Sequence, residues 1–175
     1  MRMSTIRKRH VYLDYINFAI QSMYVKNILF GSVLYAAFLS PCMADAALPQ
    51  LAEYRGHVVW LDFWASWCGP CRQSFPWMQR VQGRFADRGL LVVAVNLDHE
   101  RKDADRFLAA FPHDFSIRFD SAGTWPTSMQ VKAMPTSFLL DSEGDVVYTH
   151  AGFNPADEAK YESEIEQLLL RKPLR

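Results

Sequence analysis

Val58-Val59-Trp60-Leu61-Asp62-Phe63-Trp64-Ala65-Ser66-Trp67-Cys68-Gly69-Pro70-Cys71 decides the fold. Its first seven residues are β-branched or apolar except for Asp62, which predicts a strand buried on both faces. Its last four place two thiols three residues apart where that strand gives way to a helix. On a helix, residues i and i+3 share a face, so Cys71 sits one turn beneath Cys68, close enough to close a small disulfide ring. Cys68, in the first turn, faces unpaired backbone N–H groups and the positive end of the helix dipole, and both favour thiolate over thiol. A pKa drawn below the free value of about 8.5 makes Cys68 the attacking sulfur. Cys71, covered by helix and sheet, stays a thiol longer and resolves the mixed disulfide. Gly69 lets the backbone turn tightly, and Pro70 suits the first helical turn, where its missing N–H costs little.

Two plainer uses of such a pair compete. A structural zinc site would use a second cysteine pair or paired histidines, and the remaining cysteine is a lone Cys42. A structural staple across so short a loop closes little chain, so its entropic benefit is small.

Phe63 to Cys71 resembles the active-site signature of the thioredoxin superfamily. Pro76 falls where that family carries a proline that kinks the active-site helix. Met134-Pro135-Thr136, ahead of the apolar Ser137-Phe138-Leu139-Leu140, is similar to the family's cis-proline motif. The resemblance implies that Pro135 is cis, that the Met134 backbone offers an edge to an extended substrate peptide, and that the proline ring packs against the sulfurs. Asp62, six residues before Cys68, matches the buried acid of thioredoxin. Among Val59, Leu61, Phe63 and Trp64 an ionised carboxylate is expensive, so burial is expected to raise the Asp62 pKa toward neutrality. Asp62 would then accept the Cys71 proton during resolution and return it in the reverse step. The competing reading sets Asp62 at a wetted strand end, capping a turn. Trp67 adjoins the nucleophile in the family motif, which implies an exposed apolar lip for docking protein substrates, whereas core packing suits Trp64.

Leu90 to Asp98 reads as a second central strand, residues 101–111 as a helix with Ala104, Phe107, Leu108 and Phe111 inward, and residues 115–119 as a short strand. Residues 124–131 read as a short helix, residues 138–148 as a hairpin across Asp141-Ser142-Glu143-Gly144-Asp145, and residues 155–170 as a closing amphipathic helix. The fold class is therefore α/β, a thioredoxin-like central mixed sheet flanked by helices. Cys71 and Pro135 stand 64 residues apart, which exceeds a minimal thioredoxin by one strand-helix insert near residues 101–120, before the cis-proline strand. With Gly144-Asp145-Val146-Val147 and Gly152, this looks like the TlpA-like branch of exported thiol-disulfide oxidoreductases. That likeness implies cysteine-containing envelope proteins as substrates and a membrane electron donor. Relatives serving cytochrome c maturation carry a glutamate three residues after the second cysteine, where this chain has Ser74, and the departure weakens that specific role.

Residues 1–46 hold Arg2, Arg7, Lys8, Arg9 and Lys26 against Asp14 and Asp45, an apolar run from Ile28 to Leu39, and Ala44-Asp45-Ala46. They read as an export segment, either a signal peptide with Met23 as an alternative start or an uncleaved anchor, ahead of one domain over residues 47–175. Proline before Cys42 departs from a lipoprotein box. Localisation is expected to be periplasmic or otherwise extracytoplasmic. Without residues 1–46 the chain keeps 14 basic and 17 acidic residues, which gives no basic stripe and no nucleic-acid partner. The pattern calls for no metal and no cofactor, and Asp98-His99-Glu100 reads as capping and solvated residues. His57, His113 and His150 read as surface or strand-edge histidines.

Three functions compete. The first is a protein-disulfide reductase, whose direction follows from resemblance to thioredoxin, near about −270 mV against about −120 mV for a strong oxidant. The second is a thiol peroxidase of the peroxiredoxin class, which needs threonine where this chain has Ala65. The third is a non-enzymatic holdase or copper chaperone using the dithiol as a soft ligand pair.

Overall fold

A strand apolar on both faces needs neighbours on both edges and layers on both sides. β1 (Val58–Trp64) has them: it is buried along its whole length at the centre of a five-stranded sheet. The computed structural model describes residues 49–171, so the expected export segment and Cys42 lie outside the described residues. Among those residues no helix is long and apolar enough to cross a membrane.

β2 (Leu90–Asn96) runs parallel to β1, and β3 (Ser116–Phe119) parallel to β2. β4 (Thr136–Leu140) is antiparallel to β1 and β5 (Val146–Ala151) antiparallel to β4, giving the order β3-β2-β1-β4-β5. The parallel crossovers use α1 (Cys71–Phe85) and α2 (Arg101–Ala110). α3 (Thr124–Ser128) precedes β4, and α4 (Glu158–Arg171) ends the domain. The expected insert is therefore α2 with β3, between the second central strand and the cis-proline strand. β4 and β5 pair in register as far as Leu139, where a bulge shifts it. Asp141 Oδ1 closes the hairpin by accepting the N–H groups of Glu143 and Asp145 at 3.1 and 3.0 Å.

Alternation along β1 sorts the core. Val58, Trp60 and Trp64 face α1, α2 and α4, packing with Cys71, Phe75, Trp77, Phe107, Tyr161 and Ile165. Val59, Leu61 and Phe63 face the other way, against Val93, Val95, Phe138, Leu140 and the N-terminal Leu51 and Tyr54. Four helical boundaries differ from expectation, among them the start of α4 at Glu158, which a 3-10 turn over Pro155–Asp157 precedes. α1 starts at Cys71, not Cys68, because the Gly69 carbonyl takes a tight three-residue bond from Arg72 N–H at 3.1 Å before the first α-helical bond, Ser74 N–H to Pro70, forms at 3.2 Å. α2 stops at Ala110, with Phe111 extended as its C-cap. α3 stops at Ser128, short of the expected Val131, because Gln130 takes a positive φ of 55° that a helix cannot hold.

Candidate functional site

The end of β1 and the start of α1 hold the two thiols, with Cα atoms 5.3 Å apart and sulfurs joined, within the span a disulfide bridges. Because Cys68 lies in the turn ahead of the helix, the Cys71 N–H points back at its sulfur and donates to Sγ at 3.3 Å. A backbone N–H aimed at sulfur favours the anionic form over the neutral one. Cys71 is wholly buried and Cys68 is 4% exposed. Cys68 is thus the outer sulfur of the pair and Cys71 the inner one.

Trp67 is 69% exposed whereas Trp64 is fully buried, which separates the two tryptophans as the sequence implied. Trp67, Cys68, Gly69 and Pro70 form one wall of a cleft of about 490 Å³, and Lys132 and Met134 belong to the other. Met134–Pro135 is a cis peptide. Pro135 is buried and its carbonyl accepts the Gly152 N–H at 2.7 Å, which ties the segment before β4 to the end of β5.

Asp62 is fully buried in mid-strand, not at a wetted end. By strand alternation it points to the side of the sheet covered by α1, and Ala94, its partner on β2, packs there in one cluster with Cys71. Asp62 Oδ1 accepts the Ser137 hydroxyl at 2.5 Å, and Oδ2 is buried without a hydrogen-bond partner among the described residues. Burial pushes the carboxyl from its ordinary value up to about 7, and the Ser137 hydrogen bond to the ionised form offsets part of the rise. Ser74, at the position where some relatives carry glutamate, is buried and donates to the Cys71 carbonyl at 3.1 Å.

Asp98 is not a solvated cap. It is buried, and its carboxylate accepts the Ser66 N–H at 2.9 Å, the Ser66 hydroxyl at 2.8 Å and the Asn96 amide at 2.7 Å. It fixes the backbone two residues before Cys68 to the end of β2. No local motif announces this, since Ser66 and Asp98 are 32 residues apart. Asp98→Ala orphans the half-buried Ser66 donors and the buried Asn96 amide, at a cost of about 1–3 kcal/mol. Urea unfolding is expected to show that loss together with a several-fold fall in disulfide-exchange rate as the Trp67 lip loosens. An unchanged rate at unchanged fold would remove Asp98 from the site. Among the described residues no cluster of histidine, cysteine or acidic side chains fits a metal ion.

Residues 33–169 match the Redoxin family. ResA of Bacillus subtilis, a thiol-disulfide oxidoreductase, is 31% identical over 103 residues, covering 59% of this chain and 58% of that protein. The chain thus spans a little over half the length of this curated relative. YneN of the same organism, a thioredoxin-like protein, is 33% identical over 120 residues, 67% of this chain and 69% of its own. A crystal structure from Chlorobium tepidum, assigned as a thiol:disulfide interchange protein DsbE, superposes with a TM-score of 0.67 at 52% identity, over 68% of this chain and 84% of that one. The Redoxin match takes in the sheet, the disulfide and the cis-proline strand together, and on that ground the chain belongs to the redoxin family of the thioredoxin superfamily, among its TlpA-like thiol-disulfide oxidoreductases.

Proposed function

We propose that the protein is an exported reductase of protein disulfides, acting outside the cytoplasm on cysteine-bearing envelope proteins. The observation that carries this is the Cys68–Cys71 disulfide set in the wall of a cleft beside the exposed Trp67. In the reduced protein the Cys68 thiolate attacks one sulfur of a substrate disulfide. The substrate S–S bond breaks, its far sulfur leaves with the electron pair and takes a proton, and a mixed disulfide forms. Cys71 then gives its proton to Asp62 and bonds Cys68 Sγ, expelling the second substrate sulfur as thiolate. The substrate gains two electrons and the protein ends as the disulfide seen here.

Met134 and the cis peptide after it offer backbone to an extended peptide, and Trp67 offers apolar surface next to the nucleophile. Gly69-Pro70 between the cysteines supports the reducing direction by likeness to thioredoxin. An oxidising envelope would leave the protein oxidised after one turnover, so a membrane electron donor has to restore the dithiol. The segment 1–46, with its basic start and apolar run, supports export. Insulin reduction tests the assignment: with catalytic dithiothreitol the protein is expected to precipitate insulin chains well ahead of the thiol alone. Peroxide consumption without insulin reduction would move it to the thiol peroxidases, and tight copper binding without turnover would make it a dithiol chaperone.

A further inference from the structure

Asp62, Ser137 and His150 occupy one rung of the sheet. Ser137 is the direct cross-strand partner of Asp62 on β1 and of His150 on β5. Residues so opposed project from the same face with Cβ atoms about 4.5–5.5 Å apart. The rung therefore crosses from the buried central strand to the edge strand, under the cover of α4. At its inner end Ser137 Oγ donates to Asp62 Oδ1. At its outer end His150 Nε2 stands 2.8 Å from Glu164 Oε2, with those side chains 11% and 9% exposed. Glu164 Oε1 in turn lies 4.0 Å from the Nζ of Lys160, which is largely in solvent. His150 is on an edge strand, as its sequence position implied, but its ring is enclosed.

Three polar side chains leading away from a buried acid are expensive in an otherwise apolar layer, and each can pass a proton. The groups around His150 are few. From β4 comes Ser137, from β1 Trp60, stacked at 5.6 Å between centroids, with Asp62 beyond on the rung. From α4 come Tyr161, at 4.7 Å, and Glu164 with Lys160 behind it. From α1 comes Trp77, which packs on Trp60, while its Arg80 and Arg84 pair with Glu158, Glu162 and Glu166 along α4. Asp62 has no exposed surface of its own.

We propose that Ser137, His150 and Glu164 form the route by which Asp62 exchanges its proton with solvent between turnovers. The proposal rests on Asp62 accepting the Cys71 proton. After resolution the Asp62 O–H passes its proton to Ser137 Oγ as the Ser137 hydroxyl proton moves to His150 Nδ1, the ring nitrogen not engaged with Glu164. The Nε2 proton goes to Glu164, which releases it to water beside Lys160. The hydroxyl and the ring each gain one proton and lose one, no electrons are transferred, and Asp62 returns to carboxylate. Ser137 turns about its Cα–Cβ bond to swing between its two partners.

The test follows Asp62 directly in the oxidised full-length protein. The C=O band of a protonated carboxyl, identified by its absence in Asp62→Asn, is monitored by infrared after a pH jump from about 6 to about 8, across the value of about 7 at which Asp62 titrates. His150→Gln and Glu164→Gln are each expected to slow loss of the band at least about tenfold, within the range that positioned proton-transfer groups contribute. The titration midpoint at equilibrium stays near that of the parent, which a general loosening of the core would not give. Glu164→Gln keeps a hydrogen bond to His150 and guards against a folding defect in the histidine variant. Rates equal to the parent in either variant overturn the route. Failure of the underlying role of Asp62 reads out separately: if Asp62→Asn closes the Cys68–Cys71 bond as fast as the parent in single-turnover insulin reduction, Asp62 is not the acceptor.

Discussion

Cys71→Ser is expected to stop insulin reduction with the substrate still attached. Cys68 is left as the outer sulfur on the cleft wall, so the first attack proceeds and a mixed disulfide forms. Its release by Cys71 is intramolecular, between residues whose Cα atoms are 5.3 Å apart. Well-placed intramolecular groups act at effective concentrations on the order of 10⁵ M or more, which millimolar external thiol does not approach. Turnover should fall by roughly a thousand-fold or more, while a non-reducing gel shows insulin chains joined to the protein one to one. Cys68→Ser should be equally inactive but carry no adduct, because the sulfur it retains is fully buried. Adduct formation in Cys68→Ser, or turnover within tenfold of the parent in Cys71→Ser, would reverse the two roles or abolish them.

Asp62→Asn is expected to make the protein more stable above pH 7 and to flatten its stability between pH 4 and 7. The folded carboxyl titrates at about 7 against an ordinary value of 3.8. Between those values the folded chain holds a proton that the unfolded chain has lost, so parental stability falls as pH rises through the window and levels off above it. At about 1.4 kcal/mol per pH unit the loss approaches about 4 kcal/mol. Asparagine carries no charge to desolvate, although an unpaired amide in the space of Oδ2 returns about 1–3 kcal/mol of that gain. Urea midpoints of the oxidised proteins at pH 4, 6 and 8.5 give the comparison, and other titrating groups cancel in the difference between parent and variant. A difference independent of pH would mean that Asp62 is not the buried acid described here.

What was legible in the sequence was local. The strand-turn-helix around Cys68-Gly69-Pro70-Cys71 sits within one short stretch, so spacing alone fixed which sulfur lies outside. Trp64 and Trp67 could be told apart because one continues the strand and the other follows it. Asp62 stood out because its neighbours left it nothing polar nearby, but its partner Ser137 is 75 residues away and became its neighbour only through the pairing of β1 with β4. Asp98 misled for the same reason: beside His99 and Glu100 it looked like a solvated cap, and only the packing of β2 against the active-site turn brings Ser66 to it. His150 sits on an edge strand, where a ring is normally wet, and α4 covers it with Tyr161 and Glu164.

The bulge in the β4–β5 hairpin lies between Leu139 and Leu140, on the turn side of the rung. Side chains alternate faces along a strand, so a slip of one residue in β5 would turn His150 out of the α1 layer and away from Ser137. An extra residue added to the 141–145 turn meets an irregularity already able to take up an offset, and the pairing of Ser137 with His150 need not feel it. The segment between α3 and β4 has no such slack, since Pro135 is pinned through its carbonyl to Gly152. Length variation among descendants of this chain should therefore accumulate at the hairpin tip and stay out of the stretch that leads into Pro135.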